Sequence, residues 1–142
     1  MLLTIAATTT AASQMVDGIA DRLERPRNIL GRMGEELIDH EEELFASEGH
    51  GEWPALDPMT VAAKGSGRLL VDTGQLLADL TSNSAIRIED DSVEVSTSHP
   101  AAGYLRSGTS RMPRRDPVLE PTSSELRHWA DVMARAVVDG TL

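Results

Sequence analysis

Ile86-Arg-Ile-Glu-Asp-Asp-Ser-Val-Glu-Val95 separates an all-helical chain from a mixed one. Ile86 and Ile88 alternate with polar residues, Val93 and Val95 do the same, and Asp90-Asp91 stands between the two runs. That is the pattern of two short strands joined by a turn. Outward on one side, Gln75–Leu80 reads as a short helix, with Asp72 or Thr73 as its cap and Gly74 permitting a tight entry. On the other side, residues 98–117 read as irregular and hold Arg106, Arg111, Arg114 and Arg115.

Beyond these lie longer helices. Thr122-Ser-Ser-Glu125 is a capping box, opening a helix whose apolar face is Leu126, Trp129, Val132, Met133, Ala136 and Val137, with Gly140 as its stop. Near the start, Met15, Val16, Ile19 and Leu23 share one helical face, and Pro26 interrupts the run. A second helix follows, striped by Leu30, Met33, Leu37, Leu44 and Phe45. Gly31 and Gly34 either weaken its start, by ~1 kcal/mol each against Ala, or admit a close neighbour. Ser47–Arg68, rich in Gly and Pro, reads as loop. Residues 1–10, Thr-rich and β-branched, read as an extended arm or edge strand. The expected organisation is that arm followed by one α+β domain over residues 11–142: N-terminal helices, a small antiparallel sheet with a central hairpin, a short helix and a C-terminal amphipathic helix.

The 142 residues suit one core rather than two. That core must be mostly aliphatic, because the aromatics are Phe45, Trp53, Tyr104 and Trp129. The absence of cysteine excludes disulfides and thiolate metal sites. Net charge is −10, and the acids are uneven: residues 1–60 hold 12 acids and 4 bases, residues 61–142 hold 11 and 9. Such a chain is poorly suited to gripping nucleic acid, which needs clustered cations. No apolar run approaches the roughly 20 residues of a spanning helix, and the start lacks the positive charge of a signal peptide, so the expected location is cytoplasmic with no membrane partner.

No catalytic constellation emerges. His40, His50, His99 and His128 do not pair at metal-ligand spacing, and His40-Glu41 lacks the second His of H-E-x-x-H, since position 44 is Leu. Gly65-Ser66-Gly67 lacks the G-x-S-x-G frame, and no phosphate-binding glycine motif occurs. The chain is expected to need no cofactor and no metal, and not to be an enzyme. Glu35, Glu36, Asp39, Glu41, Glu42 and Glu43 read as a solvated helix face or as one inside an oligomer. Arg106, Arg111, Arg114 and Arg115 read as a solvated loop or as an interface for an acidic surface, since the planar guanidinium grips carboxylates bidentately, with contact to a DNA backbone a third reading. Trp129 lies on an apolar stripe and is expected in the core; Trp53, in a Gly/Pro loop, either plugs the core or anchors a partner.

The central segment has a familiar order. Phe45 is followed by Gly51-Glu52-Trp53-Pro54-Ala55-Leu56, then Thr60 and Lys64, then Leu70-Val71-Asp72-Thr73-Gly74-Gln75-Leu76. After the hairpin come Tyr104, Gly108-Thr109 and Pro113-Arg114-Arg115-Asp116-Pro117, and a closing helix. Over about residues 45–120 this resembles the phage virion morphogenesis proteins, the tail-completion and head–tail joining family of tailed bacteriophages. The segment before Gly108 lacks the family's usual His, and Pro117 stands where an aromatic is common. The resemblance implies a structural protein in the virion neck, with the host cytoplasm as its place of assembly. It also implies a homo-oligomeric ring, hexamer or dodecamer, at the head–tail junction. Its partners would be a head-side connector or head-completion protein and a tail terminator or tail tube protein. Genomic DNA would pass without specific binding, which a lumen lined by Glu35, Glu36, Asp39, Glu42 and Glu43 favours by repelling phosphates. Phe45, Trp53, Leu56, Thr60, Thr73, Gly74, Leu76, Tyr104, Gly108, Pro113 and Arg115 are the motif residues; Arg106, Arg111, Arg114 and Arg115 are expected at the subunit or partner interface. The alternative is a small acidic binding module or inhibitor acting through its Glu-rich helix.

Overall fold

A computed structural model describes residues 10–140. Most of the expected arm at residues 1–10 lies outside them; Thr10 itself begins the first helix. The element order is α1 (Thr10–Glu24), α2 (Arg27–Ala46), α3 (Pro58–Lys64), α4 (Gln75–Leu80), β1 (Ile86–Ile88), β2 (Val93–Val95), α5 (Pro100–Ser107) and α6 (Ser123–Asp139), with a 3-10 turn at Asn83–Ala85 before β1. The fold is α+β.

The hairpin forms in the expected register, with Ile86 opposite Val95 and Ile88 opposite Val93. Glu89 closes the turn by donating its amide to the Ser92 carbonyl at 2.9 Å. One strand pair cannot stand alone in water; here it lies on α2. Gly34 makes that approach possible, because a Cβ there would sit 3.1 Å from two side-chain carbons of Ile86. Of the two readings of Gly31 and Gly34, close packing therefore applies to Gly34, whereas space is open around Gly31.

α2 is the central element, touching both strands, α4 and α6. Its buried residues include Ile29, Leu30, Leu44 and Phe45. One core cluster gathers Leu44, Phe45, Trp53, Leu69, Leu76 and Leu80. Trp129 and Ala136 bury the face of α6, and the capping box at Thr122 and Glu125 is formed in both directions. Leu126, expected on that apolar face, is instead 53% exposed, because α2 meets α6 along the line of Trp129 and Ala136.

Two expectations about loops are corrected. Within Ser47–Arg68, Asp57 accepts from the Met59 amide at 2.8 Å and Pro58 occupies the first turn, so α3 forms. Within residues 98–117, His99 caps α5 by accepting at Nδ1 from the Ala101 amide at 3.2 Å, and Pro100 pre-sets the first turn. α4 has the expected bounds, but Gly74 occupies its cap position; Asp72 makes no capping bond and Thr73 Oγ1 receives only a long bond, 3.4 Å, from the Gln75 amide.

Candidate functional site

The loop after α2 delivers Trp53 into the core. Glu48, Gly49, His50 and Gly51 all take positive φ, from 52° to 78°. The turn is held by Gly49 donating to Leu44 O at 2.8 Å, Gly51 to Ser47 O at 2.8 Å and Trp53 to Glu48 O at 3.2 Å. Gly49 is required twice over: its φ is +70°, and a Cβ there would lie 2.5 Å from the Trp53 ring. The indole packs edge-on against Phe45, with centroids 5.5 Å apart, and its Nε1 donates to the Asp116 carbonyl at 3.0 Å. Of the two readings of Trp53, it plugs the core, at 7% exposure.

Arg115 makes the reciprocal link. Its Nε donates to Pro54 O at 2.5 Å and its Nη2 to Ala55 O at 2.7 Å, while its own amide bonds Leu105 O at 2.9 Å. The side chain is 3% exposed, and burial holds its pKa below the ordinary arginine value. This corrects its assignment to an interface. The loop between Pro113 and Pro117 turns Arg115 inward, and its partners are backbone carbonyls of the Trp53 loop rather than carboxylates of a neighbour. Arg106, Arg111 and Arg114 remain exposed. Arg114 pairs with the buried Asp116 carboxylate at 2.9 Å, and Arg106 lies 3.5 Å from the same oxygen.

Beside this clamp lies a groove of about 540 Å³. Its apolar lining includes Leu56, Ala63, Leu70, Leu76, Leu105 and Met112. Thr60, Lys64, Thr73, Gly74 and Arg115 also border it, so residues from four separate sequence motifs meet around one concavity. Gly108 caps α5 at φ 70°, Pro113 is exposed in the following loop, and Tyr104 is 65% exposed.

The acidic helix divides in two. Glu35, Asp39, Glu42 and Glu43 are exposed and fall within about 100° of arc on α2 at 3.6 residues per turn. Glu36 and Glu41 are buried, at 8% and 3% exposure, which corrects their place on a solvated or channel-lining face. Glu36 is held by Arg32 at 2.9 Å and by His128 Nε2 at 3.1 Å from α6. A second such pair, His40 Nδ1 to Glu125 Oε1 at 2.9 Å, ties the same two helices beside the edge-on Trp129 ring. Burial pushes the Glu125 carboxyl up, but the Thr122 hydroxyl and amide, with His40, outweigh it and hold the group below its ordinary value. Burial, reinforced by the charge of Asp116, pushes the Glu41 carboxyl up to about 7, and its Oε2 has no hydrogen-bond partner among the described residues.

Asp116, Glu41 and the two histidine–carboxylate pairs are the residues that sequence reasoning missed as structural centres. The one available signal was Asp116 between Arg115 and Pro117, a carboxylate set beside three arginines. Among the described residues, no group of three or more His, Asp or Glu is placed to hold a metal, and no helix is long and apolar enough to cross a membrane. Comparison with protein-family models, with curated proteins and with solved structures gives no match.

Proposed function

We propose that this chain is a non-enzymatic structural subunit of a tailed-phage neck, forming a homo-oligomeric ring at the head–tail junction around the DNA channel. One observation carries this. Most of the residues behind the resemblance meet at a single clamp and the groove beside it: Trp53 packs on Phe45 and reaches Asp116, Arg115 reaches Pro54 and Ala55, and Leu56, Thr60, Thr73, Gly74 and Leu76 border the groove, while Tyr104, Gly108 and Pro113 lie outside it. Motifs that meet as one internal scaffold are those a conserved architecture would need, whatever its surface binds.

The surface suits head-to-tail packing of identical copies. Arg106 at the end of α5, with Arg111 and Arg114 in the loop after it, supplies an exposed basic patch, and Glu35, Asp39, Glu42 and Glu43 an exposed acidic stripe. In a ring these four carboxylates, without Glu36, repel the phosphates of passing DNA. The ring's partners are a head-side connector or head-completion protein and a tail terminator or tail tube protein. Its place is the virion neck, after assembly in the host cytoplasm. The exposed stripe also favours one alternative, a small acidic module that captures a basic partner.

Deleting the coding sequence from the genome that carries it, then supplying the chain in trans, tests the proposal. DNA-filled heads and free tails that fail to join, rescued by the supplied chain, are expected. Normal infectious particles without the chain overturn it. A monomer that instead binds and inhibits a nucleic-acid-binding enzyme selects the acidic module.

A further inference from the structure

The molecule carries an apolar ridge and an apolar groove that share no residue. The ridge is on α1. Met15, Val16, Ile19 and Leu23 lie within about 100° of arc at 3.6 residues per turn. Ile19 is half-buried, yet Met15, Val16 and Leu23 are 54%, 63% and 58% exposed. α1 is fastened to the rest of the fold at its other end, where Arg22 donates to Val137 O at 2.6 Å and to Val138 O at 2.9 Å. Residues 1–16 contain no charged side chain, in a chain where one residue in four is charged. Clustered exposed apolar surface of this kind marks an interaction site.

The groove is the counterpart. Leu56, Leu70, Leu76, Leu105 and Met112 give it an apolar floor of a size suited to a few aliphatic side chains, within a volume of about 540 Å³. Charge supports the match. Cations outnumber acids at the groove: Lys64 and Arg115 line it against Asp72, and Arg111 and Arg106, the latter paired with Asp116, each adjoin a lining residue, Met112 or Leu105. α1 is itself net acidic, with Asp17, Asp21 and Glu24 against Arg22. An apolar ridge on a net-acidic helix thus complements an apolar groove whose border is net basic.

We infer that α1 of one copy docks by its Met15–Val16–Leu23 ridge into the Leu56–Leu76–Leu105 groove of the next copy. The contact is heterologous: each copy uses its ridge on one neighbour and its groove on the other, so the series closes into a ring or runs on as a filament. This rests on the ring reading above for the identity of the neighbour. It deepens that reading by naming the two surfaces that meet.

Mixing two variants of the full chain tests the contact by light scattering. Met15→Asp with Val16→Asp blocks the ridge, and Ala63→Arg, at an exposed lining position on α3, blocks the groove. Both changes are at exposed positions, and thermal unfolding within a few degrees of the parent establishes that each variant is folded. The parent chain is expected to self-associate and each variant to associate at least tenfold more weakly. An equimolar mixture should then recover a discrete heterodimer, because one intact ridge and one intact groove remain. A groove variant that associates as well as the parent, with no gain on mixing, means α1 pairs with α1 and overturns the inference. A parent chain that stays monomeric at all concentrations also overturns it, as does a mixture of the variants that stays monomeric. Failure of the neck assignment reads out separately, as normal particles after deletion of the gene.

Discussion

The indole Nε1 of Trp53 donates to the main-chain carbonyl of Asp116 at 3.0 Å, across 63 residues of sequence. The preceding residue, Arg115, reaches back to the carbonyls of Pro54 and Ala55. Each segment thus anchors the other. Trp53→Phe keeps the ring against Phe45 but leaves the Asp116 carbonyl without this donor, an expected loss of about 1–2 kcal/mol; Trp53→Ala adds a cavity and should cost about 3–5 kcal/mol. Urea unfolding of both variants measures the difference, and equal losses would mean that the hydrogen bond contributes as much as the whole ring.

Arg115→Ala strands two carbonyls and is expected to cost about 2–4 kcal/mol, with Arg115→Lys, which retains one donor at a time, intermediate. Limited proteolysis should show new cleavage near residues 54–57 in the Ala variant. Unchanged melting with lost self-association would return Arg115 to the subunit interface.

Gly49→Ala forces a Cβ to within 2.5 Å of the Trp53 ring at a φ of +70° and should destabilise by about 2–4 kcal/mol. Gly31→Ala makes the opposite case: it lies inside α2 with open space around it, so the same change should stabilise by about 0.5–1 kcal/mol. Thermal denaturation of the pair gives opposite signs, or the packing described here is wrong.

Two carboxyls set opposite pH dependences. Glu41 is raised from 4.5 to about 7. The folded chain therefore binds more protons than the unfolded chain between these values, and stability from this group rises as pH falls from 7 towards 4.5. Glu41→Gln should stabilise above pH 7, by something on the order of 1–3 kcal/mol, and make little difference near pH 4.5. Glu125 is lowered, so its contribution is complete above its ordinary value and is lost as pH falls below it. Chemical denaturation of parent, Glu41→Gln and Glu125→Gln across pH 3–9 separates the two slopes.

What local chemistry writes, the sequence shows. The hairpin register follows from alternation, α4 from its Gly74 entry and α6 from a capping box that forms both of its bonds. α5 was hidden because its cap is a histidine, outside the usual Ser, Thr, Asp and Asn set, and because Gly103 interrupts its interior. α3 was hidden among glycines and prolines even though Asp57-Pro58 is itself a start signal.

Direction and pairing were less legible. Whether Arg115 points outward like Arg114 or inward depends on two carbonyls some 60 positions away, and nothing in its own neighbourhood encodes them. Glu36 and Glu41 look like their exposed neighbours in composition. Only the placement of α6 and Asp116 separates the buried pair from the solvated four.

The core cluster has a kinetic consequence. Leu44, Phe45, Trp53, Leu69, Leu76 and Leu80 all fall within one continuous stretch of the chain, whereas the bonds from Trp53 and Arg115 close a loop of about 60 residues around the hairpin and α5. Short-range contacts form at a small entropic cost and long loops close later. Residues 44–80 should therefore nucleate folding, with high φ-values at Leu44 and Leu80, and the tryptophan latch should shut late, with a φ-value near zero at its hydrogen bond. A nascent chain would then hold the 44–80 cluster before Arg115 and Asp116 have been synthesised, so the second half of the latch arrives on a core that has already gathered.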